Sequence, residues 1–256
     1  MVFATFAAVS RFKIFFISVL MVILLGGSFY ITKNQTRYYP SSGLMIRDSD
    51  LPNPPRISFN VSRQRQTFLK DLFKGCNLSG DKKQLLEACD FSSLEVRDFA
   101  IRMAGNSPGT FNLGQVCDMF DHCFTNWKYV NDPNGENYIA KASETVLNGF
   151  NGDCDDFAVL MCASVMAIGG EARISYAYKG KKGHAFTEIN LGNTPQEIVT
   201  NYLSKRYKLK SVNGKRDKNG NWWLNLDWFA GYPGGPYYKY ASGQRFYILQ
   251  NYCESL

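Results

Sequence analysis

The sequence predicts an α+β fold: a buried helix on a small antiparallel sheet, with more helices ahead of it. Two observations carry that reading. Helical periodicity with capping signals occupies residues 92–168, and alternating apolar patterns begin only afterwards, at Ala172. Helices first, then strands joined by a short turn, is an α+β order. The composition agrees. With 45% hydrophobic and 20% charged residues the chain is globular, and 256 residues suffice for one domain with a full core plus attachments. A mean hydropathy of −0.25 excludes a polytopic membrane protein but not one spanning segment.

Each element has a local cause. Nineteen residues without a charge, Ile14 to Thr32, separate Lys13 from Lys33. As a helix they would run roughly 28 Å, close to the ~30 Å hydrocarbon core of a bilayer. The stretch is longer than a typical signal-peptide apolar region and has no A-x-A-like cleavage site. A transmembrane anchor (14–32) behind a short tail (1–13) is therefore expected over a cleaved leader. The flanking charges nearly tie, Arg11 and Lys13 against Lys33, Arg37 and Arg47. A short tail before a lone span usually stays inside, which puts the remainder on the periplasmic or extracellular side. Residues 33–58, with Pro40, Pro52, Pro54 and Pro55, read as an extended linker, and 59–91 as an N-terminal helical extension.

Ser92 and Glu95 make a capping box ahead of Val96, Phe99, Ile101 and Met103, and Gly105 ends that helix. Asn112 with Gln115 opens a second helix that runs to about Trp127. Tyr129 to Gly152 reads mostly as loop, with a short helix at Ser143–Leu147. From Cys154, Phe157, Ala158, Leu160, Met161, Val165 and Ile168 leave no polar face, so this helix is central; Gly169-Gly170 closes it. Ala172, Ile174, Tyr176 and Tyr178 alternate along a strand, and a Lys-Gly-Lys-Lys-Gly turn returns the chain through His184–Asn190 as a hairpin. Thr194, Pro195 and Glu197 predict a helix to about Tyr207, and Asn221–Phe229 is a third strand.

The chemistry concentrates at one tripeptide, Gly152-Asp153-Cys154, at the start of the central helix. Unsatisfied N–H groups and the helix dipole favour a thiolate there, which lowers the expected thiol pKa. A nucleophilic thiol needs an imidazole, and the chain has only His122 and His184. His184 opens a strand, and Asp227, on the next one with Trp223 and Asn225, could orient it.

These residues sit in longer runs. Ser143-Glu144-Thr145, Gly149 to Ala158 around Cys154, Gly183-His184-Ala-Phe-Thr-Glu188 and Leu224-Asn-Leu-Asp227, led in by Asn126 to Tyr138, resemble the transglutaminase-like superfamily over roughly 92–232. The resemblance implies a papain-like α+β core in a catalytic domain 92–232, followed by a Tyr-rich extension 233–256. It implies Cys154 as nucleophile, His184 as base and acid, and Asp227 as orienter. Trp228 follows Asp227 where the family commonly has Pro, which alters the turn but not the acid. The backbone N–H of Cys154 is the first oxyanion donor, and Tyr138 lies where relatives place a ring donor. Some bacterial members hold calcium on carboxylates beside the nucleophile, which would fall on Asp153 and Asp155; a structural or solvated role is the simpler reading, and no cofactor is expected.

The remaining residues have plainer readings. His122 reads as a partly exposed surface residue and Asp156 as a helix-start carboxylate bonded to backbone. Six further cysteines could pair if the domain is exported; Cys117 and Cys123 point apart on one helix, Cys162 is core, and Cys76 with Cys89 is one possible pair. Lys205, Arg206, Lys208, Lys210, Lys215, Arg216 and Lys218 form a basic cluster, read first as a solvated helix and hairpin loop and otherwise as a docking face for an anionic membrane or wall surface. It lacks aromatic interleaving, so nucleic acid is not expected. The expected function is a membrane-anchored thiol hydrolase cutting a peptide or amide bond in a protein or peptide substrate. The alternatives are a Gln-directed acyl transferase, whose tunnel Trp222, Trp223, Trp228 and Tyr232 could line although they read first as core and rim of a small sheet, and a binding module with a vestigial triad.

Overall fold

A computed structural model of the chain describes residues 36–39, 44–58, 81–132, 137–250 and 252–256. The apolar stretch 14–32 and most of the extension 59–91 lie outside the described residues. Among those described, no helix is long and apolar enough to cross a membrane.

The chain divides into two units. The smaller contains an antiparallel hairpin, β1 (Thr36–Tyr39) with β2 (Leu44–Arg47), in register Thr36 opposite Arg47. The stretch expected as extended linker therefore carries paired strands, as its β-branched and aromatic residues favour.

The larger unit holds α1 (Asp81–Ala88), α2 (Leu94–Ala104), α3 (Leu113–Asn126), α4 (Ala142–Leu147), α5 (Cys154–Ala167) and α6 (Gln196–Tyr207). Its strands are β3 (Lys128–Tyr129), β4 (Asn151–Gly152), β5 (Ala172–Lys179), β6 (Lys182–Asn190), β7 (Gly214–Arg216), β8 (Trp222–Asn225), β9 (Ser242–Tyr247) and β10 (Tyr252–Ser255). Six of them form one antiparallel sheet in the order β10-β9-β5-β6-β8-β7, and β3 pairs with β4 in parallel.

Helix α5 is the spine. Every residue from Asp155 to Met166 is buried, which is why no polar face was available to mark its amphipathicity. It lies on one face of the sheet, where Thr187 Oγ1 donates 2.6 Å to the Ala158 carbonyl. Phe99 on α2, Phe120 on α3 and Phe157 on α5 are fully buried, each worth ~1.5–3 kcal/mol of burial. Alternation along β6 sends Ala185, Thr187 and Ile189 to the α5 side and His184, Phe186 and Glu188 to the other.

That second face is covered by the C-terminal segment. Tyr237 OH donates 2.6 Å to Glu188, and its ring meets Phe186 at 5.7 Å. The Tyr-rich extension 233–256 also supplies β9 and β10, so it completes the sheet that carries His184 rather than trailing behind it.

Two caps differ from expectation. Helix α2 is capped by Ser93, not Ser92, because the helix begins one residue later and Ser93 accepts the Val96 N–H. Thr194 does not cap α6; its hydroxyl donates to the Arg56 carbonyl. The box at Asn112 and Gln115 forms in both directions.

Candidate active site

Cys154 is the first residue of α5, where the first backbone N–H groups have no carbonyl behind them. Two of the surrounding donors are taken by carboxylates: Asp153 Oδ1 accepts from Asp155 N at 3.1 Å, and Asp156 Oδ2 from Asp153 N at 3.0 Å. Asp156 also accepts from Ala140 N at 2.7 Å, the backbone-bonding role expected for it. Gly152 makes this possible. Its φ is +147°, and a Cβ there would lie 2.1 Å from Asp156 Oδ2. The Cys154 sulfur accepts the backbone N–H of Ala185, so the helix tip meets strand β6 one residue after His184.

His184 is buried, and its Nε2 lies 2.8 Å from Asp227 Oδ2. Asp227 sits just past β8, where its other oxygen accepts the Phe229 N–H at 3.0 Å and caps a short 3-10 turn, Trp228–Ala230. Both carboxylate oxygens are thus held, which fixes the imidazole plane and leaves Nδ1 for a thiol proton. Tyr238 and Phe229 press on the ring at centroid distances of 4.7 and 5.0 Å. His122 is elsewhere, packed between Phe99 and Phe150 with its basicity lowered by burial and Arg102.

The electrostatics correct one expectation. Burial, together with Asp153, Asp155 and Asp227, pushes the Cys154 thiol up to about 12, and the Ala185 N–H offsets only part of this. Burial first, and then the carboxylates in and around the same turn, outweigh the helix N-terminus and disfavour charge on the sulfur. A second anomaly lies beside it. Burial and the neighbouring Asp153 push Asp155 to about 9, and Asp155 Oδ1 is buried without a partner. Burial raises Asp156 to about 6. One ligand oxygen from each of Asp153, Asp155 and Asp156 lies within 4.8 Å of the others. These are hard oxygen donors of the kind a calcium-like cation takes, and the partnerless Asp155 Oδ1 belongs to one of the three carboxylates.

The proposed ring donor Tyr138 is committed elsewhere. It is 53% exposed and its single hydroxyl proton goes to Glu144 Oε2 at 2.9 Å, leaving none for an oxyanion. Tyr129 is the tyrosine at the thiol. It pairs with Gly152 through β3 and β4, packs at a tilt against Trp228 with ring centroids 4.9 Å apart, and burial followed by the Cys154 charge raises its hydroxyl pKa. Trp228 Nε1 beside it is buried without an acceptor. The sequence signal for Tyr129 was its place in the lead-in motif, which spacing alone did not separate from Tyr138.

Other expectations resolve as follows. Cys89, Cys117, Cys123, Cys154 and Cys162 are free thiols, so Cys89 makes no disulfide, and Cys253 is disulfide-bonded. The basic cluster is not one surface: Arg206 is buried between Asp118 and Asp121, each at 2.7 Å. Trp222 and Trp223 are buried in the sheet and Tyr232 stacks on Tyr207, so of the four tunnel candidates only Trp228 borders Tyr129.

A family model described as the transglutaminase-like superfamily matches residues 97–227, just over half of the chain. The chain belongs to that superfamily. Cys154, His184 and Asp227 of this transglutaminase-like chain all fall inside the matched span. No curated protein matches its sequence at a significant level. Among solved structures, a cysteine protease candidate from Cytophaga hutchinsonii matches at 22% identity and a TM-score of 0.34, over 59% of this chain and 47% of that one. The transglutaminase-like chain thus spans about half the length of that protein. LapG of Legionella pneumophila matches at 16% identity and 0.36, over 63% and 80% of the two chains. Its calcium-bound form matches at 16% and 0.30, over 65% and 77%.

Proposed function

We propose that this transglutaminase-like protein is a thiol hydrolase that cuts a peptide or amide bond of a protein or peptide through Cys154, His184 and Asp227. The observation that carries the reading is the buried His184–Asp227 contact at 2.8 Å, one residue from the N–H that holds the Cys154 sulfur. Cys154 begins as a neutral thiol. On substrate binding His184 takes its proton, and the sulfur attacks the carbonyl carbon as its π electrons move to oxygen. Asp227 stabilises the imidazolium. The oxyanion is met by the Cys154 N–H and by Tyr129, whose hydroxyl makes no hydrogen bond among the described residues. Collapse expels the amine, which takes the proton from His184, and leaves a thioester on Cys154. Water, deprotonated by His184, attacks the thioester carbonyl; collapse releases the acid and returns the proton to the sulfur.

Water rather than an amine is favoured as second nucleophile because the rim is open: Phe229 is 62% and Val130 53% exposed. Asp153, Asp155 and Asp156 are the residues that would hold calcium. Bound there, the cation would offset the carboxylate repulsion that disfavours charge on the sulfur. We place the anchor at 14–32, with the domain on the outer side.

Iodoacetamide labelling with peptide mapping tests the site. Cys154 should label first, since Cys89, Cys117, Cys123 and Cys162 are buried, and His184→Ala should slow it while His122→Ala does not. Equal labelling of Cys89, Cys117, Cys123, Cys154 and Cys162 would overturn the reading. Peptide libraries with excess primary amine should give hydrolysis products that vanish in Cys154→Ala; amine adducts would favour a transferase. An impermeant protease added to intact cells should digest the domain, and protection until lysis would reverse the orientation.

A further inference from the structure

A cavity of about 280 Å³ opens at the far end of the six-stranded sheet from His184. Six steps along β6, from His184 to Asn190, separate the two ends, roughly 20 Å at ~3.3 Å per residue. No step of the proposed hydrolysis uses it. One of its walls is β9–β10, which lies beyond the matched span 97–227.

The walls are aromatic. Trp223 and Tyr247 meet edge to face at 5.3 Å, and Tyr252 stands 5.4 Å from Tyr247. Glu171 and Asp217 line the same cavity, and both carboxylates are held only by neutral donors. Glu171 accepts from the side-chain amides of Asn190 and Gln250. Asp217 accepts from Asn221 and from the Trp223 indole N–H, each at 3.0 Å. Burial pushes Asp217 up, yet these donors outweigh it and hold the acid below its ordinary range. No lysine or arginine among the described residues forms an ion pair with either. Anionic groups beside aromatic faces make a favourable seat for a cation. The chain shows this itself: the buried Arg173 guanidinium lies 4.1 and 5.1 Å from the Trp223 and Tyr247 ring centroids, and Lys218 Nζ 5.2 Å from that of Tyr252. The volume is below the usual range for a whole ligand and suits one side chain.

We propose that this cavity is a subsite for one cationic side chain, a lysine ammonium or arginine guanidinium, of a partner polypeptide, with Lys218 as its resident competitor. The incoming cation displaces Lys218 and lies between the Tyr252 ring and the two carboxylates, since Trp223 and Tyr247 already face the Arg173 guanidinium.

The full chain, labelled so that the Trp223 indole N–H is followed by NMR, tests this. The probes are N-acetyl-arginine amide, N-acetyl-lysine amide, the uncharged N-acetyl-citrulline amide, and glucose. Both cations should move the Trp223 signal and the other two should not. Lys218→Ala should tighten the cations about twofold to fivefold, and Glu171→Gln should weaken them by a similar factor. Citrulline binding as well as arginine, glucose binding in place of the cations, unchanged or weaker affinity in Lys218→Ala, or no movement with any probe would each overturn the proposal. Cys154→Ala should bind as the wild type does, so failure here and failure of the hydrolase reading are separate results.

Discussion

The charge clusters around Glu188 and around Cys154 are built on opposite terms. Around Glu188 the charges balance: Arg173 at 2.9 Å and Arg245 at 3.3 Å face Glu188, and Glu254 lies 3.4 Å from Arg245. Ser175 and Tyr237 fill further lone pairs of Glu188. Around Cys154 they do not. Asp153, Asp155 and Asp156 share one helix turn, and no cation among the described residues pairs with them. Burial would raise Glu188, but the arginines and the tyrosine hold it below its ordinary range, whereas Asp155 is driven up to about 9. The first cluster stabilises the sheet. The second stores repulsion beside the sulfur, as reactive sites often do.

The largest expected effect separates the two by activity. Cys154→Ala or His184→Ala should lower hydrolysis by about 10³-fold or more, and Cys154→Ala should leave the thermal melt nearly unchanged. If Glu188→Ala caused an equal loss per folded molecule, the division would fail. Its expected effect is on folding: about 3–5 kcal/mol lost in urea melts, because Arg173 and Arg245 would be left buried and unpaired.

The same cluster carries a pH signature. Glu188 has a folded pKa below its ordinary 4.5, so its contribution is present above that value and lost as pH falls through the folded one. Glu188→Gln should flatten the acid limb of stability below about pH 4.5 relative to wild type, read by thermal melts across a pH series.

Calcium should act only at the unbalanced cluster. At a hundredfold excess over its dissociation constant it should add about 2.7 kcal/mol of stability, an increment that Asp155→Asn removes. Without calcium, Asp155→Asn should be the smallest change, a gain of about 1 kcal/mol from removing the like-charge interaction with Asp153 and Asp156. A loss instead would mean that Asp155 is balanced by something else.

Much of this was legible in sequence. The Asn112–Gln115 box, the apolar helix from Cys154 and the hairpin that carries His184 all rest on local patterns, and they form, though the second strand starts at Lys182, two residues before His184. What local patterns could not show was long-range charge. Arg206 belongs to a basic run in sequence, yet Asp118 and Asp121 on another helix take it into the core. The thiol was expected acidic from its helix position alone; three-dimensional burial and Asp227, seventy-three residues away, raise it instead. Tyr129 and Tyr138 are equivalent as letters in a motif. A two-residue parallel pairing with Gly152 brings the first to the sulfur.

The hydrogen bond from Ala185 to the Cys154 sulfur ties the reaction to the backbone. A thiol sulfur accepts an N–H weakly, and a thioester sulfur more weakly still, so acylation loosens the only link between the helix tip and that amide. The Ala185 amide proton is then a built-in gauge of occupancy. Its exchange with solvent deuterium should quicken when an acyl group is on the enzyme and slow again when water has released it, giving a readout of turnover from a residue that touches no substrate.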